Sequence, residues 1–81
     1  MKSKQEIQAE IIALRAIKPV GRFAAQTKER IALAIEELEF GVDQTAGEWN
    51  ELSMGEQDIV HFAKLWKNGE SHIKPSERLK N

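Results

Sequence analysis

Apolar residues recur along this chain at the spacing of one helical face, not in the alternation of a half-buried strand. Ile7, Ile11 and Leu14 line one side of a segment expected to be helical over about 3–17. Ser3, followed three residues later by Glu6, supplies a capping-box pattern at its start. Lys18-Pro19-Val20-Gly21 then interrupts the pattern, because Pro19 disfavours helical backbone at Lys18 and Gly21 tolerates a tight connection. A second helix is expected over about 22–40, with Ala24, Thr27, Ile31, Ala34, Ile35 and Leu38 falling in one stripe. Gly41 is a suitable stop, and the short connection between the two segments implies an antiparallel αα-hairpin.

Regularity weakens between Val42 and Leu52, where Gly47 opposes a long helix and a short helical turn near 45–52 carries Trp49 and Leu52. Ser53 and Glu56 form a second capping-box pattern. It opens a third helix over about 53–68, whose Ile59, Phe62, Ala63 and Trp66 share a face before Asn68-Gly69 ends it. Residues 70–81 contain Pro75 and few apolar side chains, which predicts a mobile or lightly docked tail. The expected architecture is all-α: one helical domain over 1–69, followed by that tail.

With no cysteine among its 81 residues, the chain has neither a disulfide framework nor a thiolate metal site. Lys2 and Lys4 are not followed by a charge-free apolar core, and no apolar run is long enough to cross a bilayer. The expected setting is cytoplasmic, with no membrane partner. A domain this small buries a modest share of its surface, so self-association is a natural supplement to its stability.

Two groups of residues remain after the core is assigned. Leu33 and Phe40 project from helix two on the side opposite Ile31 and Leu38, and Ala9, Ile12, Ala13 and Ala16 project from helix one away from its apolar stripe. A helix apolar on two sides is usually covered on two sides. Ala9, Ile12, Ala13, Ala16 and Leu33 are therefore candidate self-association residues. The simplest arrangement is a two-fold homodimer in which helix one, or the outer side of helix two, meets its equivalent.

Charge alters the picture most. From Ile31 to Ala63 there is no lysine or arginine, while Glu36, Glu37, Glu39, Asp43, Glu48, Glu51, Glu56 and Asp58 all fall there. The flanking segments carry +4 and +3, so a net charge of −1 conceals strong segregation. Glu56 and Asp58 suit a helix start, but Glu36, Glu37 and Glu39 oppose the macrodipole of helix two at its end. Tertiary contacts to Lys64 or Lys67 would relieve that conflict, and a binding surface would tolerate it.

No catalytic constellation is visible. Asp58 and His61 share a helical side at a metal-ligand spacing, but a single pair does not fill a zinc site, and the only other imidazole is His72. No cofactor or metal is expected. Glu37-Leu38-Glu39-Phe40-Gly41-Val42-Asp43-Gln44-Thr45 resembles the Gly-Val turn of a helix-turn-helix, which implies a nucleic-acid partner. The sequence departs from that pattern by placing Glu37 and Gly47 where a small and a branched apolar residue normally stand. The following segment also carries Asp43, Glu48 and Glu51 with no cation, the wrong sign for phosphates.

The sequence thus leads to a non-enzymatic interaction protein, an adaptor or inhibitor. Its candidate contacts with a basic protein surface are Glu36, Glu37, Glu39, Phe40, Asp43, Glu48, Trp49 and Glu51. The alternative is a small nucleic-acid-binding regulator using Lys18, Arg22, Lys28 and Arg30.

Overall fold

The computed structural model describes residues 1–80, and all of its regular secondary structure is helical. The order is α1 (Lys4–Ala16), α2 (Ala24–Glu39), α3 (Gly47–Glu51), α4 (Met54–Lys67) and α5 (Pro75–Leu79). Both capping boxes form: Ser3 Oγ accepts from Glu6 N–H while Glu6 accepts from Ser3 N–H, and Ser53 and Glu56 repeat the exchange at the start of α4. Each box satisfies two backbone donors that a helix start otherwise leaves free.

α2 begins at Ala24 rather than Arg22. Gly21 takes a left-handed conformation with φ of 91°, and the chain enters the helix only after Phe23, which caps it without a side-chain hydrogen bond. At the other end Phe40 is the C-cap, and Gly41, with φ of 83°, turns the chain away. Gly47 is the first residue of α3, where its lack of a side chain does not interrupt a helix interior.

α1 and α2 form the antiparallel hairpin: Ile7 and Ile11 border the same hollow as Leu38, while Ala16 and Ile17 border the same groove as Thr27. α4 runs parallel to α2 and packs against it most closely, with Gly55 against Arg30 and Lys67 against Glu37. The core is built from Ile11 and Leu14 of α1, Ile31, Ala34 and Leu38 of α2, and Ile59, Ala63 and Trp66 of α4. These residues lie on the predicted stripes, but Ala24, Thr27 and Phe62 of those stripes are only half-buried, and Val60, which no stripe included, is fully buried.

The expectation of a mobile or lightly docked tail does not describe α5. Pro75, at its first position, needs no N–H partner there, and Pro75 and Leu79 are both buried, Leu79 within the core cluster. Glu10 of α1, itself only 4% exposed, accepts from Ser76 N–H at 2.6 Å and Ser76 Oγ at 2.9 Å. Arg78 lies 3.4 Å from the Phe62 ring centroid and 3.2 Å from Asp58 Oδ2. Cation–π attraction and an ion pair thus fix α5 from the α4 side.

Candidate functional site

The cation-free stretch runs from the end of α2, through the α2–α3 connection and α3, into α4. Its carboxylates divide into groups with different environments. Glu37 is buried, and Lys67 Nζ donates to its carboxylate at 3.4 Å and to its backbone carbonyl at 2.8 Å. Lys67 thereby gives an end carbonyl of α2, which also accepts from Gly41 N–H, a second donor and places a cation where the macrodipole is negative. Glu37 is thus removed from the accessible candidates. Glu39 is exposed but pairs with Arg15 of α1 at 3.4 Å. Two of the three glutamates that oppose the α2 dipole are therefore offset by cations from other helices; the Lys67 contact fits the tertiary alternative, whereas Arg15 had no local sequence signal.

Glu36 is exposed and unpaired among the described residues. It lines two adjoining hollows together with Leu33. One, of about 380 Å³, has Ala32, Ile35, Glu39 and Phe40 as its other walls. The second, of about 260 Å³, is closed by Val42, Asp43, Ala46, Glu48, Trp49 and Leu52. Leu33 is half-buried, because the α2–α3 connection folds over it; Phe40 projects from the helix end at 83% exposure. Leu33 therefore groups with the acidic face and not with the self-association candidates of α1.

Trp49 is half-buried as a wall of the smaller hollow, and its carbonyl accepts from Gln57 Nε2 at 2.8 Å, which ties α3 to α4. Asp43 accepts from Thr45 Oγ1 at 2.7 Å and Thr45 N–H at 2.9 Å. Those bonds, the hydroxyl's first, hold its carboxyl below the usual aspartate range. Asp43 is accordingly a fixed anion in an Asx turn. Glu48 and Glu51 are exposed on α3. Val42 and Leu52, which complete the hollow, were missing from the sequence-based set because their grouping depends on the path of the connection.

The other candidates lie elsewhere. Ala9, Ile12, Ala13 and Ala16 are exposed along α1, with Ile12 at 65%. Lys18, Arg22 and Lys28 are exposed at the opposite end of the hairpin from Phe40, alongside Val20 and Phe23. Arg30 is separated from that group: it is half-buried against Gly55, and its Nε has no hydrogen-bond partner. Asp58 is engaged by Arg78, and among the described residues no three metal-ligating side chains cluster. Likewise, no described helix is long and apolar enough to cross a membrane.

In comparisons with protein-family models, curated proteins and solved structures, no match to this chain was found.

Proposed function

We propose that this protein is a non-enzymatic interaction module, an adaptor or inhibitor in a cytoplasmic setting. It engages a basic protein partner through the face at the C-terminal end of α2. The observation that carries this reading is Phe40, 83% exposed beside the hollows that Leu33 and Glu36 line. An exposed aromatic next to concave apolar surface supplies an anchor, and carboxylates around it favour cationic partners and speed encounter. Glu36, Asp43 and Glu48 contribute the charge, while Val42, Trp49 and Leu52 line a slot for the aliphatic stem of a lysine or arginine. Glu37 and Glu39 play a different part, holding α2 to α4 and α1.

Titration calorimetry with an amphipathic arginine- and lysine-rich peptide tests this reading. Binding that weakens at least tenfold in Phe40→Ala and in Glu36→Gln/Glu48→Gln is expected; equal binding by these variants would overturn it. The nucleic-acid alternative draws on Lys18, Arg22 and Lys28, which are exposed around Phe23. It requires retention on random DNA with a steep salt dependence.

A further inference from the structure

Both ends of α2 carry an exposed aromatic cap, and the helix's own side chains there have charge of the wrong sign for an isolated helix. At the N-terminal end Phe23 is 61% exposed, with Lys18, Arg22 and Lys28 nearby in sequence and no acid in the first turn. At the C-terminal end the last turn of α2 contains no base, and Phe40 stands beside Glu36, which is unpaired among the described residues, and beside Glu39, which Arg15 of α1 holds; Lys4 borders Phe40 on the α1 side. Each set of side-chain charges adds to the helix macrodipole instead of opposing it. The two ends are therefore electrostatic complements of one another.

They also differ in shape. Between α1, the α1–α2 connection and α5 lies a groove of about 490 Å³, floored by Ala16, Ile17, Val20 and Leu79 and flanked by Lys18 and Lys80. Thr27 on the first turn of α2 also borders it, which places the groove at the end of the molecule away from Phe40. One end is thus concave, apolar and edged by cations. The other is a projecting aromatic beside the unpaired carboxylate of Glu36.

We propose that the groove receives Phe40 of a second copy of this chain, with Lys18 and Lys80 drawn to Glu36 of the incoming molecule. This rests on the reading of the Phe40 face as an interaction surface and names a second copy as its basic partner. The two surfaces lie at opposite ends of a 16-residue helix, so one copy cannot join them internally. Because they are different surfaces, the contact is heterologous and leaves a free end at each step, unlike a two-fold dimer through Ile12 and Ala9.

Sedimentation over a concentration series tests this with three proteins: wild type, Phe40→Ala, and Lys18→Glu/Lys80→Glu. Circular dichroism first establishes that both variants are folded. Wild-type mass should rise beyond that of a dimer with concentration and fall with added salt, while each variant alone remains monomeric. Each variant retains one intact end, so an equimolar mixture should form a 1:1 dimer and nothing larger. A monomeric wild type, a dimer that both variants still form, or a mixture that remains monomeric would overturn the proposal. The arginine- and lysine-rich peptide separates the two ideas. If wild type is monomeric yet binds the peptide in a Phe40-dependent way, only the second-copy inference falls; if neither association depends on Phe40, both fall.

Discussion

Glu10 and Ser76, 66 residues apart, form the contact that makes the last described helix part of the fold: a buried carboxylate accepts both the backbone N–H and the hydroxyl of Ser76. A cap for a helix start is normally local, whereas α5 receives its acceptor from α1. Hydrogen bonds to a charged group contribute more than neutral ones, so Glu10→Ala should destabilise the protein by about 2 kcal/mol and Ser76→Ala by about 1 kcal/mol. Urea unfolding measures both, and hydrogen exchange should show the amides of residues 76–79 losing protection first.

Leu79 provides an independent check on α5. It belongs to the core cluster, and truncating a buried leucine removes its transfer energy and leaves a cavity. Leu79→Ala should cost about 2–4 kcal/mol. A cost below about 0.5 kcal/mol, typical of a surface position, would mean that α5 is not docked in solution.

Lys67 and Glu37 test how the end of α2 tolerates its acids. Lys67→Met strands a buried carboxylate and removes a donor from an end carbonyl, with an expected loss of about 2 kcal/mol. Glu37→Gln should cost less, because Lys67 still reaches the carbonyl. A double-mutant cycle over the two sites measures their coupling in thermal or urea unfolding.

The capping boxes make stability acid-sensitive. The Ser3 backbone N–H, then its hydroxyl, holds the Glu6 carboxyl below its ordinary value, and Ser53 does the same for Glu56 in the same order. A carboxylate whose pKa is lower folded than unfolded contributes stability above its unfolded value. That contribution is lost as pH falls through the folded value. Both α1 and α4 should therefore fray at their starts across that acid window, as followed by carboxyl and amide NMR. Ser3→Ala and Ser53→Ala should shift the corresponding glutamate titration upward.

What could be read in advance depended on range. Ser3–Glu6 and Ser53–Glu56 are codes three residues long, and the stripes of α1, α2 and α4 follow from helical period alone, so these elements were legible. α5 was not, because five residues that include Glu77 and Arg78 and are flanked by Lys74 and Lys80 acquire their order from Glu10, Phe62 and Asp58 on other helices. The exposure of Phe40 followed from projecting α2. The partial burial of Leu33 did not, since it depends on where the chain travels after Gly41. Glu37 was included with the surface acids for the same reason: its buried state is created by Lys67, 30 residues later.

The central claim is that the Phe40 face binds a basic partner, and amide NMR titration of the full chain tests it most directly. The arginine- and lysine-rich peptide, and separately a random DNA oligonucleotide, would be added at moderate salt. The peptide should move the resonances of Leu33, Glu36, Phe40, Asp43 and Trp49 in one saturable process, with little change caused by DNA. Shifts at Lys18, Arg22 and Lys28 on adding DNA, with the Phe40 face unmoved by peptide, would contradict it.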